Sequence, residues 1–313
     1  MGKNVSKSSL ARANQDRDYH IFEEYAYYLV SEARQKCANH IFKLGGNVYA
    51  FDSTTIDLCL SVFWWAKFRK KKGGTKVHTL YDVETQIPAF FHITEASVHD
   101  SKVMIEIPYE PSSYYIFDRG YNNFKILYKI HQIEAYFVVR AKKNLGYKSI
   151  QWKRRLPKNV LSDASVLLTG FYPKQYYPEP LRLVKYWDEE QEREFIFITN
   201  AMHISALQVA ELYKNRWQVE LFFKWLKQHL KIKRFWGTTE NAVRIQIYAA
   251  ICAYCLVAII QHDMQLDRST YEVLQILSIS LTDKTYLRDL FNKTKFQNDK
   301  ERFGPNGPSL FNF

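Results

Sequence analysis

Residues 213–235 read YKNRWQVELFFKWLKQHLKIKRF, a stretch in which one carboxylate, Glu220, is surrounded by basic side chains. The bases are Lys214, Arg216, Lys224, Lys227, Lys231, Lys233 and Arg234. A surface that only keeps a protein soluble mixes both signs of charge. A lone acid among bases is instead typical of a metal-binding carboxylate that works beside a polyanion. At about 100° per residue, one helical stripe would carry four of these side chains: Tyr213, Arg216, Glu220 and Lys227.

The whole chain of 313 residues is basic, with a net charge of +12. That balance favours an acidic partner, and nucleic acid is the commonest, although a ribosomal, membrane-surface or merely basic protein stays open. The charge is concentrated in two runs without an acid, 67–76 and 140–158. Aromatic residues make up 16% of the chain and many lie within or near these runs, where their rings could stack on bases.

Four cysteines, at positions 37, 59, 252 and 255, are too few for a disulfide framework in a chain of this length and indicate a reducing compartment. Cys252 and Cys255 form a CxxC inside an apolar helical run, which favours core packing over a zinc site. The N-terminal sequence MGKNVSKSSLARANQDRDYH is polar, and the apolar run 245–260 is short for a membrane span. We therefore expect a cytoplasmic protein without a membrane-spanning segment.

The order of strand-like and helical segments predicts an α/β fold. The β-branched and aromatic run NVYAFDSTTIDLCL predicts a strand that carries Asp52, and SSYYIFD predicts a short strand that ends on Asp118. Ser205 is expected to cap the helical region that follows EFIFITN. We predict four parts: a helical N-terminal segment (1–45), a discontinuous core (46–144 and 195–262), a β-rich insertion (145–194), and a C-terminal helix and tail (263–313).

The four residues on the predicted helical stripe form Tyr-x2-Arg-x3-Glu-x6-Lys. This pattern resembles the signature of bacterial insertion-sequence transposases of the DDE type, specifically the fourth insertion-sequence family. The resemblance runs from about residue 2 to about residue 260 and includes YAFDSTTIDL, YYIFDRGYNNF, HTLYDVETQIP, ITEASVHDS and GTTENAV. It implies a ribonuclease H-like mixed-sheet catalytic core, interrupted by the insertion, in which the three acids converge.

The resemblance also implies metal-dependent cleavage of phosphodiester bonds and strand transfer, the reactions of cut-and-paste transposition. Asp52, Asp118 and Glu220 would be the catalytic acids and would hold two Mg²⁺ or Mn²⁺ ions, with Asp52 bridging both. Hard divalent cations take oxygen ligands. Two such ions assist both the attacking and the leaving oxygen of an in-line displacement.

The implied partners are DNA at the transposon ends and at the target, bound by a protein dimer associated with the bacterial nucleoid. Tyr213, Arg216 and Lys227 would hold the transposon end near a flipped base, and Arg119 and Lys224 are further candidates for DNA contact. Members of the family usually carry a further helical region ahead of the sequence that this chain matches. This chain begins at Met1 without that region, which leaves three alternatives: a truncated protein, a domesticated one, or one that binds DNA ends through its remaining basic surfaces.

Two other functions fit the same residues: a repressor that binds the element's DNA without cutting it, and a metal-dependent nuclease without strand transfer. Other acids compete for the site. Asp57 falls on the opposite face of a regular strand from Asp52. Asp82, Glu84 and Asp100 could support the site indirectly. Trp152 and Trp187 of the insertion are candidates to stack on an extruded base.

Overall fold

The computed structural model describes residues 6–38, 42–59, 61–69, 72–229, 235–268, 270–280 and 285–293. By its internal contacts the chain forms two compact units, residues 1–255 and residues 256–313. The described strands are β1 (Val48–Leu58), β2 (Lys67–Arg69), β3 (Lys72–Asp82), β4 (Ile87–Glu95), β5 (Tyr114–Phe117), β6 (Tyr136–Arg140), β7 (Tyr147–Trp152), β8 (Val160–Leu168), β9 (Leu181–Asp188) and β10 (Arg193–Thr199).

The described helices lie between these strands and also at both ends of the described part of the chain. They are α1 (Lys7–Asp16), α2 (His20–Lys36), α3 (Asp100–Val103), α4 (Phe124–Gln132), α5 (Phe171–Tyr176), α6 (Ala206–Lys214), α7 (Trp217–His229), α8 (Glu240–Asp263), α9 (Thr270–Ser280) and α10 (Leu287–Lys293). Short 3-10 turns lie at Met104–Glu106 and Arg119–Tyr121. The predicted α/β class is therefore confirmed.

All ten strands belong to one mixed sheet in the larger unit, in the order β2-β3-β1-β5-β6-β10-β9-β8-β7, with β4 paired to β3. Strand β1 runs antiparallel to β3 and parallel to β5, and β5 runs parallel to β6. In the β1–β5 ladder Phe51 pairs with Phe117. Asp52 and Asp118 each follow that last pair, so the register alone brings the two acids to the same end of the β1–β5 ladder.

The centre of the sheet is buried on both faces, as expected for parallel strands that are covered by helices. All four residues of β5 are buried, and Phe51, Phe117 and Phe137 on the three central strands are 0% exposed. Burying one such side chain stabilises a fold by roughly 1.5–3 kcal/mol. This packed centre gives the two acids at its edge a rigid support.

Residues 145–194 continue the same sheet, because β9 pairs antiparallel with β10 over seven residues from Arg193 to Thr199. Arg182 of β9 makes a bidentate ion pair with Asp163 of β8, at 2.7 Å for each bond, and both side chains are almost fully buried. The same guanidinium donates to the carbonyls of Ala201 and Ile204, just ahead of α6. These bonds hold the insertion to the segment that precedes α6. The division of the chain into four parts stays a prediction.

The predicted single helix across Tyr213, Glu220 and Lys227 is wrong, because α6 ends at Lys214 and α7 begins at Trp217. Ser205 caps α6 as predicted, in a capping box with Gln208. At the break, the Asn215 side chain donates to the carbonyl of Glu211 and accepts from Gln218. Such local bonds compete with helical ones, and the N–H groups of residues 216, 218 and 219 bond three residues back instead of four.

Helix α8 is long and apolar enough, by length and composition alone, to cross a membrane. Within the larger unit, however, its side chains at Val243, Ile247, Tyr248 and Ile251 are almost completely buried in the protein. The Tyr248 hydroxyl also donates to Glu23 of α2. These contacts are those of a core helix, which is what the sequence predicted.

Candidate functional site

Asp52 lies in the middle of β1 with its side chain 22% exposed. Its Oδ1 accepts hydrogen bonds from the Ser53 N–H (2.8 Å) and the Tyr121 hydroxyl (3.4 Å), and its Oδ2 accepts from Arg216 (2.8 Å). Burial, with the nearby charges of Glu220 and Asp118, raises the pKa of Asp52 to about 6 against the opposing effects of Arg216 and the Ser53 N–H. The charged form of the partly buried Asp52 is therefore only partly stabilised by Arg216 and the Ser53 N–H.

Arg216 lies in the break between α6 and α7 and joins two acids. Its Nη1 bonds to Asp52, and its Nη2 lies 2.5 Å from Oε1 of Glu220 on α7. Burial by itself would lower the pKa of Arg216, but Asp52, Tyr213 and Glu220 outweigh it and raise the pKa. Glu220 is more open to solvent, with 55% of its side chain exposed. Helix α7 packs against β1 and β3, which is how Glu220 reaches the edge that carries Asp52.

Asp118 directly follows β5 and precedes the 3-10 turn Arg119–Tyr121. It accepts a hydrogen bond from the Tyr213 hydroxyl at 3.0 Å. The Tyr213 ring packs on Phe197 of β10, with centroids 4.7 Å apart, and Arg216 lies 5.7 Å from its centroid. Burial raises the pKa of Tyr213 to about 12, so the hydroxyl stays protonated and acts as a donor.

The three predicted acids therefore surround Tyr213 and Arg216 at one edge of the sheet. Within the described ranges, no three His, Cys, Asp or Glu side chains lie close enough together to hold a metal ion as they stand. The direct bonds run from Arg216 to Asp52 and Glu220, and from Tyr213 to Asp118. Two carboxylates repel one another unless a cation lies between them, and here Arg216 provides that charge.

The remaining predicted DNA contacts lie close in sequence to Asp118 and Glu220. Lys227 is two helical turns beyond Glu220 on α7, Lys224 is exposed on the same helix, and Arg119 is exposed in the turn after Asp118. Three further bases of the opening stretch, Lys231, Lys233 and Arg234, lie outside the described residues.

Sequence reasoning missed Tyr121 and Ser53, which hold Oδ1 of Asp52. Tyr121 is three residues beyond Asp118 in FDRGYNN, and its N–H bonds to the Asp118 carbonyl, so the 3-10 turn directs its ring back to the sheet. The signal in the sequence was the pair Gly120-Tyr121, two and three residues after Asp118. Among the competing acids, Asp57 is exposed. Asp82 of β3 lies beside Tyr49, near the start of β1, and pairs with Arg34.

The donors at this edge fit a hard divalent cation in their chemistry. Asp52, Asp118 and Glu220 supply only carboxylate oxygens, which Mg²⁺ and Mn²⁺ prefer. Oδ2 of Asp52 and Oε1 of Glu220 already bind one positive group, the Arg216 guanidinium. The exposed Glu220 side chain has room to turn toward a different cation, so these residues fit a metal site that forms when Arg216 is displaced.

A cleft of about 500 Å³ opens beside the turn that follows Asp118. Amide, cationic and aromatic side chains line it, and the Tyr172 and Tyr176 rings stand nearly parallel with centroids 6.1 Å apart. Gly120, two residues after Asp118, forms part of its wall. The amide side chains of Asn122 and Asn144 and the ammonium group of Lys142 also line the cleft.

Comparisons with known proteins agree on one family. A family model described as a transposase DDE domain matches residues 43–256. The putative transposase y4zB of Sinorhizobium fredii is 36% identical over 246 residues, which is 76% of this chain and 67% of that protein. A probable transposase for insertion sequence element IS5377 of Geobacillus stearothermophilus is 27% identical over 249 residues, 80% of this chain and 66% of the relative.

Among solved structures, the piggyBac transposase in a synaptic complex with hairpin DNA has a TM-score of 0.45 at 12% identity, over 83% of this chain and 58% of that one. The chain spans about two thirds of the length of the two bacterial relatives. Since the matching model covers more than half of the chain, the protein belongs to the family defined by the transposase DDE domain.

Proposed function

We propose that the protein is a DNA transposase of the fourth insertion-sequence family that cuts the ends of its element and joins them to target DNA by a cut-and-paste route. The observation that carries the proposal is the position of Asp52, Asp118 and Glu220 around Arg216 and Tyr213, in a chain of the transposase family. Antiparallel β1, β3 and β4 continuing into parallel β5 and β6 support a ribonuclease H-like core. A bacterial protein with this role would act at the nucleoid in the cytoplasm.

We assign Asp52, Asp118 and Glu220 as the residues that would hold two Mg²⁺ or Mn²⁺ ions. Bound ions would activate the attacking oxygen and neutralise charge on the leaving oxygen. Asp52 would hold a metal ion through Oδ2, because Ser53 and Tyr121 restrain its Oδ1 and Oδ2 can exchange the Arg216 guanidinium for another cation. Tyr213 keeps the carboxylate of Asp118 oriented toward the same edge.

Arg216 has a second role in this proposal. When Asp52 and Glu220 turn to metal ions, its guanidinium becomes available to a DNA phosphate, which a planar fork grips with two parallel bonds. Lys224, Lys227 and Arg119 would extend this contact along the DNA backbone. Because Arg216 exchanges carboxylates for phosphate, the binding of DNA and of metal should reinforce one another.

The cleft beside Asp118 is the place we propose for a base that is extruded near the cleavage point. Tyr172 and Tyr176 offer parallel rings for stacking, and Asn122, Asn144 and Lys142 offer polar groups for a base edge and a phosphate. Trp152 and Trp187 do not line the cleft, but both are exposed and stay the alternative stacking residues. A dimer that holds two ends together remains part of the proposal.

The proposal is tested with purified protein, Mg²⁺ and a labelled duplex that carries the transposon end. We expect cleavage that leaves 3′-hydroxyls and joining of those ends to a target plasmid. Glu220→Gln should abolish both reactions and keep a gel shift of the end duplex, whereas Glu211→Gln, at an exposed position on α6, should keep both.

Other outcomes identify the competing functions. Cleavage without joining would identify a nuclease, and a gel shift without cleavage by the unaltered protein would identify a repressor. Full activity of Glu220→Gln would refute the assignment of that acid.

A further inference from the structure

A second polar cluster lies behind Asp52, centred on Asp100 at the start of α3. Oδ1 of Asp100 accepts a hydrogen bond from the Ser53 hydroxyl at 2.8 Å and lies 2.9 Å from Nζ of Lys76 on β3. Lys76 is 8% exposed and also donates to the carbonyl of Val98 at 2.7 Å. Burial of Asp100 would raise its pKa, but the bonds from Lys76 and Ser53 outweigh it and hold the pKa below its ordinary value.

The positive charge of this cluster comes from Lys76. His78, two residues along β3, is 0% exposed, and its Nδ1 lies 3.8 Å from Asp100. Burial lowers the pKa of His78 to about 4, against the opposing effect of Asp100, so its ring is neutral at physiological pH. Lys76 is nearly buried, whereas 38% of the Asp100 side chain is exposed. Burying the Lys76 charge is costly unless the remaining bonding capacity of the pair is used. Ser53 and Val98 take up part of that capacity.

Ser53 connects this cluster to the candidate site. Its hydroxyl donates to Asp100, and its backbone N–H donates to Oδ1 of Asp52 at 2.8 Å. The Tyr121 hydroxyl, which also reaches Oδ1 of Asp52, interacts with the Ser53 side chain as well. Oδ1 of Asp52 therefore accepts from two groups, the Ser53 N–H and the Tyr121 hydroxyl. Ser53 is in turn bonded to Asp100, which pairs with Lys76.

We infer that Asp100 is a positioning residue, which acts through Ser53 and is held by Lys76 to fix Asp52 with Oδ1 restrained and Oδ2 directed toward Arg216 and Glu220. The inference rests on the proposed function, because it assigns to this cluster the orientation of a metal-binding acid. Groups that orient metal ligands commonly change metal affinity or activity by about 10–100-fold when removed.

A purely structural role for the cluster makes a different prediction. If the Lys76–Asp100 pair only fastens α3 to the sheet, its loss lowers stability but leaves metal affinity and turnover unchanged below the melting temperature. If the cluster orients Asp52, the removal of the Ser53 hydroxyl alone changes both, although the ion pair and the fold are kept.

The experiment compares Ser53→Ala, Ser53→Thr, Asp100→Asn and the control Asp57→Asn, which alters an exposed acid on the same strand. For each full-length variant we would measure Mn²⁺ affinity without DNA by electron paramagnetic resonance, and kcat and KM for cleavage of the end duplex with Mg²⁺. Ser53→Ala and Asp100→Asn should weaken Mn²⁺ binding and lower kcat by about tenfold, with KM for DNA within about twofold. Ser53→Thr should restore most of both because it keeps the hydroxyl.

Each result has a distinct meaning. Wild-type protein that neither binds Mn²⁺ nor cleaves would refute the proposed function itself. Wild-type protein that does both, with Ser53→Ala equal to it in Mn²⁺ affinity and kcat, would overturn the role of the cluster. Asp100→Asn leaves Lys76 without its ionic partner and could fail to fold, and in that case Ser53→Ala decides the question, since it keeps the ion pair.

Discussion

Nη1 of Arg216 lies 2.8 Å from Oδ2 of Asp52, across 164 residues of sequence. The same guanidinium reaches Glu220, so one arginine neutralises two of the three acids assigned to catalysis. The contact supplies a positive charge to two acids that are close together, one of them partly buried. It also makes the arginine and a divalent cation competitors for the same oxygens.

The first prediction concerns Arg216→Ala, which leaves Asp52 and Glu220 facing one another without a shared cation. We expect the free energy of unfolding without divalent ions to fall by about 2–3 kcal/mol, less than for a fully buried pair because Glu220 is half exposed. Millimolar Mg²⁺ should recover more stability in this variant than in the wild type. Chemical denaturation with and without Mg²⁺ measures both quantities.

Arg244→Ala is the matched control for this prediction, because Arg244 also pairs with a glutamate four residues away, Glu240, at 2.8 Å. It should lose little stability and show no recovery with Mg²⁺. Equal responses of the two variants to Mg²⁺ would contradict the competition between Arg216 and the metal.

The second prediction follows from the raised pKa of Asp52. Burial raises that pKa from 3.8 to about 6, so the folded protein binds the proton more tightly than the unfolded chain does. The associated stability is present below about pH 4 and is lost as the pH rises through about 6. Asp52→Asn removes this loss. In EDTA at pH 8 the variant should therefore be more stable than the wild type by about 2–3 kcal/mol.

The advantage of Asp52→Asn should disappear below about pH 4, and Mn²⁺ should stabilise the wild type alone. Unfolding curves in EDTA across this pH range provide the measurement, with Asp57→Asn as the control. Parallel curves for Asp52→Asn and the wild type at all pH values would show that Asp52 titrates normally.

The third prediction concerns the buried pair that joins the insertion to the core. Arg182→Ala leaves Asp163 without its bidentate partner and removes a donor from the carbonyls of Ala201 and Ile204. We expect a loss of about 3 kcal/mol in the free energy of unfolding, with Lys153, 3.3 Å from Asp163, limiting the damage. Urea denaturation measures this value.

The control for Arg182 is Lys158, whose pair with Glu189 is exposed on both sides. Lys158→Ala should change stability by less than about 1 kcal/mol. A similarly small effect of Arg182→Ala would mean that the insertion strands are held to the sheet by backbone bonds and apolar packing alone.

The fourth prediction concerns the exposed bases beside the acids. Arg119→Ala and Lys224→Ala should each weaken binding of the end duplex, and each should reduce the slope of log K against log salt by about 0.9, the value for one lost phosphate contact. Fluorescence anisotropy over a series of salt concentrations gives the slope. Arg288→Ala, an exposed position on α10, should leave it unchanged, and an equal drop there would indicate unspecific charge attraction.

Much of the fold was predictable because its signals are local. The β-branched run around Asp52 and the buried run before Asp118 each formed the expected strand, and Ser205 formed the expected cap. Each depends on residues within a few positions of one another. The class of fold and the strands that carry two of the acids therefore followed from the sequence.

Two features were not predicted, for different reasons. Helical periodicity gave one continuous helix, because it does not include the local side-chain bonds of Asn215 with Glu211 and Gln218 at the break. The contact of Arg216 with Asp52 joins residues 164 positions apart and depends on how α7 packs across the sheet, while the role of Arg216 at DNA stays a prediction. That contact could not be predicted from the sequence, which gives the number of charged residues but not the distances between them in the fold.

The most direct test of the central claim is to locate Mn²⁺ in crystals of the protein bound to its end duplex, by anomalous scattering. The account predicts peaks within about 2.0–2.3 Å of the carboxylate oxygens of Asp52, Asp118 and Glu220, with Arg216 turned from Asp52 to a phosphate. Mn²⁺ bound elsewhere in crystals that contain cleaved DNA, with Arg216 still paired to Asp52 and Glu220, would contradict it.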